Sequence, residues 1–369
     1  MTTDIHPASA ASSPAARATI TYSNCPVPNA LLAALGSGIL DSAGITLALL
    51  TGKQGEVHFT YDRDDYTRFG GEIPPLVSEG LRAPGRTRLL GLTPVLGRWG
   101  YFVRGDSAIR TPADLAGRRV GVSDSARRIL TGRLGDYREL DPWRQTLVAL
   151  GTWEARALLS TLETAGLGVG DVELTRIENP FVDVPTERLH AAGSLKGTDL
   201  FPDVTSQQAA VLEDERADAL FAWLPWAAEL ETRIGARPVL DLSADDRNAY
   251  ASTWTVSAEL VDRQPELVQR LVDAVVDAGR WAEANGDVVS RLHADNLGVS
   301  PESVRQGFGA DFHRRLTPRL DSDAIAILER TQRFLKDANL IDRSLALDRW
   351  AAPEFLEQSL SRQVEGQIA

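Results

Sequence analysis

Cysteine is the residue type in this chain scarce enough to be read for chemistry. Cys25 is the only cysteine in 369 residues. One thiol can close no internal disulfide and build no thiolate metal cluster. Core filler, surface thiol and nucleophile remain, and burial as a small hydrophobe is the ordinary fate of a free cysteine. Its surroundings, Tyr22-Ser23-Asn24-Cys25-Pro26-Val27-Pro28-Asn29, separate a β-type run (Ala18 to Tyr22) from a helix-like run (Asn29 to Leu35). Such a junction would set the sulfur near the first N–H groups of a helix and lower its pKa. Pro26 and Pro28 stiffen the turn and suit first helical positions.

Arg68 is the second candidate. It precedes Phe69-Gly70-Gly71-Glu72-Ile73-Pro74-Pro75. Two glycines let backbone N–H groups approach a ligand, and an arginine beside them makes a pocket for a flat oxyanion. The competing reading is a surface ion pair with Glu72 or Asp64. His58, bracketed by Val57 and Phe59, is expected to be partly buried, as a core histidine or as a partner in chemistry. The other four of the five histidines read as structural or exposed. His6 lies in a tail, His190 and His293 among polar residues, and His313 beside Arg314 and Arg315. Trp153, Phe201, Trp223 and Trp226 offer an aromatic wall, so an aromatic oxyacid is the ligand class. Trp153, after Gly151-Thr152, reads as a helix start. No cysteine pair or histidine spacing suits a metal. Gly36-Ser37-Gly38 is followed by Asp41 where a dinucleotide fingerprint needs glycine, and a serine nucleophile elbow is missing.

These residues need elements to hold them. Hydrophobic residues are 43% and charged residues 24%, an ordinary globular mixture, and the length suits two domains. The net charge is −12, which argues against nucleic acid or anionic membrane as partner. An anionic substrate would need a local cationic pocket. No window approaches the ~18–20 apolar residues of a spanning helix, and the N-terminus lacks a secretory pattern, so the expectation is a cytoplasmic protein. Residues 1–17 read as a disordered tail. Strand and helix signals then alternate, as in α/β folds. Strands are expected at Gly44–Leu50, Arg88–Leu96, Tyr101–Arg104, Arg118–Val122, Asp171–Ile177 and Ala217–Leu224. Helices are expected after Thr111, from Ser123 to Leu130, from Pro265, and from Ser322 to Leu335. In the helix from Pro265, Leu267, Val268, Leu271, Val272, Val275 and Val276 share one face. The pattern suggests a two-lobed clamp, lobe 1 being 18–104 plus 230–369 and lobe 2 being 105–229. Ligands of such folds sit in the central cleft.

The Cys25 segment, the Phe69–Pro75 segment and Asp141-Pro142-Trp143-Arg144-Gln145-Thr146-Leu147-Val148-Ala149-Leu150 together resemble the 2′-hydroxybiphenyl-2-sulfinate desulfinases of bacterial dibenzothiophene desulfurisation. The likeness runs from Thr19 to Ser359. Asp114-Leu115-Ala116-Gly117-Arg118-Arg119-Val120-Gly121-Val122 resembles the wider sulfonate- and taurine-binding superfamily. The resemblance implies a type II periplasmic-binding-protein-like α/β fold and hydrolytic C–S cleavage, giving 2-hydroxybiphenyl and sulfite. It implies catalytic roles for Cys25, His58 and Arg68 and a Gly71 N–H donor. Pro26, Phe59, Leu150, Trp153, Phe201 and Leu224 would enclose the biphenyl.

Cys25 then has two possible tasks. As a thiolate activated by His58 it would attack sulfur, with a covalent intermediate. As a thiol it would protonate the ring carbon and expel SO2. Neither needs a cofactor. A monomer acting on a small aromatic sulfinate is the expectation. The alternative is a solute-binding protein for aromatic sulfonates, against which the missing export signal argues. A pyrimidine synthase for thiamin on the same fold would want a cysteine- and histidine-rich iron site.

Overall fold

The computed structural model describes residues 17–23, 25, 27–179 and 203–368. The expected tail before Arg17, His6, His190 and the site candidates Pro26 and Phe201 lie outside them. The described residues build two five-stranded sheets. The first contains β1 (Ala18–Ser23), β2 (Ile45–Leu49), β3 (Tyr66–Gly71), β4 (Thr87–Val95) and β10 (Tyr250–Ser257), in the order β2-β1-β3-β10-β4. The second contains β5 (Trp99–Val103), β6 (Arg119–Val122), β7 (Glu173–Arg176), β8 (Ala219–Trp223) and β9 (Arg237–Pro238), in the order β7-β6-β8-β5-β9. Both sheets are mixed, and helices cover them, so β3 and β10 are buried along their whole length, β3 with Arg68 in it.

Two expectations about chain tracing are corrected. β5 pairs with β8 and β9, so the chain leaves the first sheet over 96–98, before the expected lobe boundary at 104. It returns between β9 and β10, after the expected boundary at 229. The run Tyr101–Val103 is equally strand-like in either sheet, and only the pairing assigns it. Trp153 is not a helix start either. It lies mid-way along a 22-residue helix, Pro142–Glu163, whose N-cap is Asp141 with Pro142 in the first turn. Asp141 accepts the Arg144 N–H at 2.9 Å, a standard cap. Gly151 lets this helix lie on the helix Asp124–Leu130, since a Cβ there would stand 2.6 Å from the Ala126 backbone nitrogen.

Elsewhere the periodicities are realised. All six apolar residues expected on one face of the helix Pro265–Ala284 are buried. His293, expected among surface polar residues, is instead buried between Phe308 and Phe312, at ring distances of 5.9 and 5.2 Å. Its polar neighbours in sequence point outward while it faces the core, a consequence of helical spacing. Among the described residues, no helix is long and apolar enough to cross a membrane.

Candidate active site

Parallel pairing of β1 with β3 sets Ser23 opposite Arg68, and Cys25 follows just beyond the strand end. Alternation puts Tyr66, Arg68 and Gly70 on one face of β3. Gly70 is a gap on that face which the cysteine fills. A Cβ at position 70 would stand 2.5 Å from Cys25 Sγ and 2.9 Å from Arg68 Cζ. Gly71 faces the other way, where a Cβ would meet the Trp153 ring at 2.8 Å. Both glycines are therefore required by close approach, not by backbone angles.

Arg68 is 1% exposed. Its Nη1 donates to the Gly71 carbonyl at 2.9 Å and to the Tyr61 hydroxyl at 3.3 Å. Its Nε and Nη2 reach His58 Nε2 at 3.3 and 3.2 Å, and Nη2 lies 3.8 Å from Cys25 Sγ. None of these acceptors is a carboxylate, and among the described residues no ion pair involves Arg68. The alternative pairing with Glu72 or Asp64 is thus not made. Burial opposes the guanidinium charge, but Tyr61, Cys25 and Tyr66 outweigh it and hold the arginine protonated. A buried cation satisfied only by neutral groups is costly unless an anion joins it.

Cys25 is 6% exposed. Burial pushes its thiol pKa up, with Arg68 and the Gly71 N–H pulling it back only in part. This reverses the expectation of a lowered pKa from a helix N-terminus. The following helix, Ala30–Ser37, starts five residues later, and its N-cap Asn29 takes the Leu32 N–H at 2.9 Å. Pro28 accordingly precedes the cap and lies outside the helix. His58 sits on a single helical turn, Val57–Thr60, and is buried. Burial, then the Arg68 charge, depresses its pKa well below the ordinary histidine value. Its Nδ1 lies 2.6 Å from Ser23 Oγ, so both ring nitrogens are engaged, one by Ser23 and one by Arg68.

Phe59 touches the His58 ring at 4.7 Å and Trp143 at 4.6 Å. Leu150 is one helical turn before Trp153, and Trp153 packs against Trp223 at 4.9 Å. Leu224 follows Trp223 and is fully buried in a left-handed conformation, φ +52°. Its side chain packs on Gly97 and its backbone on Gly307. So the structure brings Cys25, His58, Arg68, Gly71, Phe59 and Trp153 together, while the close contacts of Leu224 are with Gly97 and Gly307. Ser23, Tyr61 and Tyr66 belong to the cluster and were missed by sequence reasoning. The signal for Tyr66 was its place two residues before Arg68 on a strand.

No family model matches the chain. The chain is 66% identical to the 2′-hydroxybiphenyl-2-sulfinate desulfinase of Rhodococcus erythropolis over 364 residues, covering 98% of this chain and 100% of that protein. The same figures hold for the desulfinase of Rhodococcus qingshengii. A crystal structure of a cysteine-to-serine mutant of DszB in complex with biphenyl-2-sulfinic acid superposes with a TM-score of 0.92 at 68% identity, over 94% of this chain and 99% of that one. The periplasmic sulfonate-binding protein SsuA of Methylobacillus flagellatus shares the fold at 14% identity, with a TM-score of 0.66 over 94% of each chain. The architecture is thus the two-sheet α/β fold of periplasmic binding proteins.

Proposed function

The chain belongs to the 2′-hydroxybiphenyl-2-sulfinate desulfinase family, and on that premise we propose that it hydrolyses the C–S bond of 2′-hydroxybiphenyl-2-sulfinate to 2-hydroxybiphenyl and sulfite. The observation that carries this reading is Arg68, a buried cation whose acceptors among the described residues are all neutral, 3.8 Å from the single cysteine. The guanidinium and the Gly71 N–H form a cradle for two sulfinate oxygens. Phe59, Leu150 and Trp153 supply apolar surface for the rings. A relative's cysteine-to-serine mutant that holds biphenyl-2-sulfinic acid supports the central place of the thiol.

The electrostatics favour Cys25 as an acid rather than a nucleophile. Its proton is held by burial, and neither nitrogen of His58 is vacant to remove it. A thiolate would also have to approach a sulfinate that is itself an anion. In the proposed step the thiol protonates the ring carbon bearing sulfur, and the C–S bonding pair becomes the new C–H bond. SO2 departs and adds water to give bisulfite and a proton, which restores the thiol. The sum is ArSO2⁻ + H2O → ArH + HSO3⁻, with no redox change.

The test is sulfite release by the native protein beside Cys25→Ser. Turnover by the first and none by the second is expected. Binding of the sulfinate without sulfite release would leave a solute-binding protein instead. A solvent isotope effect with no cysteine adduct by mass spectrometry is expected for the acid role, and a trapped thiosulfonate-type adduct would overturn it.

A further inference from the structure

Ser23 and Tyr66 have no part in the chemistry described so far. Both are buried, Ser23 at the end of β1 and Tyr66 at the start of β3. Ser23 Oγ lies 2.6 Å from His58 Nδ1 and makes a short hydrogen bond with the Tyr66 hydroxyl. On the far side of the imidazole, Nε2 meets two guanidinium nitrogens of Arg68, at 3.2 and 3.3 Å. A guanidinium has donors only. His58 Nε2 must therefore accept, which leaves the ring proton on Nδ1, donated to Ser23 Oγ. The same guanidinium is pinned by the Gly71 carbonyl, and Gly71 is the residue whose N–H reaches the cysteine.

We propose that Ser23, backed by Tyr66, is a positioning residue: it holds His58 as the Nδ1–H tautomer, so that Nε2 anchors Arg68 in the orientation that receives the sulfinate. The other tautomer would set an Nε2–H against two guanidinium N–H groups. That donor–donor contact would drive Arg68 off its anchor or rotate the imidazole away. The kinetic consequence rests on the desulfinase reading, whereas the tautomer itself does not. A serine that only filled space would leave the tautomer unchanged.

The test begins with ¹⁵N NMR of the ligand-free protein, with the His58 signals assigned by their loss in His58→Gln. The expected spectrum has a protonated Nδ1 and a bare Nε2. In Ser23→Ala the two tautomers should mix, and kcat/KM for the sulfinate should fall about tenfold, mostly through KM, the usual worth of one buried hydrogen bond. Ser23→Thr, which keeps the hydroxyl, should recover the tautomer and most of the activity. Tyr66→Phe should shift the tautomer the same way by less. A protonated Nε2 in the native protein overturns the proposal, as does a native tautomer in both Ser23→Ala and Tyr66→Phe. Native protein with the expected tautomer but no sulfite release would leave the positioning role standing and sink the desulfinase reading instead.

Discussion

Gly70→Ala separates this geometry from a loose assembly of the same residues. The added methyl would stand 2.5 Å from Cys25 Sγ, 2.6 Å from Cys25 Cβ and 2.9 Å from Arg68 Cζ. Ordinary carbon contacts are roughly 3.5–4 Å, so about 1 Å must be recovered. The strand cannot yield easily. It is buried throughout, paired with β1 as far as Arg68 and with β10 through Gly70 as far as Gly71, and its Gly70 carbonyl takes the Thr253 hydroxyl at 3.1 Å. The cysteine and guanidinium must move instead. Overpacking of this kind costs about 1–3 kcal/mol of stability, while a 1 Å displacement of reacting groups costs on the order of 10²-fold in rate. The expected variant is folded, with a modestly lower urea midpoint, and has lost about two orders of magnitude in kcat/KM for sulfite release. Gly71→Ala is the matched control, because among the described residues its methyl meets the Trp153 ring and neither Cys25 nor Arg68. It should act mainly on KM, through the aromatic wall. If Gly70→Ala kept native kcat/KM, the thiol and guanidinium could not be held against β3 as described, and the reasoning would fail.

Arg68→Lys keeps the charge but loses the fork that spans Gly71, His58 and the cysteine. At such a site the exchange is not conservative, so kcat/KM should fall by at least ~10²-fold with circular dichroism unchanged; near-native turnover would show that charge alone suffices. The pH dependence of stability holds two opposed slopes. Burial pushes Glu72 up to about 7, against the pull of Arg156, the Ala251 N–H and Thr331. A proton held more tightly in the folded state stabilises below the ordinary carboxyl value, and that gain is lost as pH rises towards 7. His58, kept neutral by burial and then by Arg68, does the reverse: its stability is full above the ordinary histidine value and is lost as pH falls below it. Glu72→Gln removes the first slope, so its urea-derived stability should drop as pH falls below 6.5, by up to about 1.4 kcal/mol per unit for each of the two buried neutral histidines, His58 and His293, the latter with its pKa lowered by burial to about 4. A flat profile in that variant would contradict the buried neutral histidines.

The candidate cluster was largely legible because its members are chemically scarce. One cysteine, one half-apolar histidine segment and one arginine before two glycines leave few ways to build a site. Most strands were legible as short apolar runs, and the long amphipathic helix from its period. What escaped depends on tertiary pairing. Tyr101–Val103 reads as a strand but carries no mark of which sheet it joins. The thiol pKa moved opposite to expectation because local logic saw a helix start, while the folded chain supplied desolvation from residues distant in sequence. Ser23 and Tyr66 are ordinary strand residues until β1 and β3 lie side by side, so only Tyr66, alternating with Arg68, left a trace.

A chain with net charge −12 must still attract an anion, and magnitudes decide how. Surface charges more than about 8–10 Å away are largely screened at physiological salt, so the surface field weakens sharply before it reaches the cleft. A guanidinium shielded from solvent and about 4 Å from a sulfinate oxygen attracts it by roughly 4 kcal/mol at an effective dielectric of 20. The local term wins because, among the described residues, Arg68 is buried without a carboxylate partner. The same burial keeps Cys25 protonated. On the proposed reading, a cation sunk beside the thiol among neutral acceptors would both capture the sulfinate and leave the thiol its proton to deliver. Supplying Arg68 with a carboxylate, as in Thr255→Glu across from it on β10, should abolish sulfinate binding by calorimetry while leaving Cys25 in place.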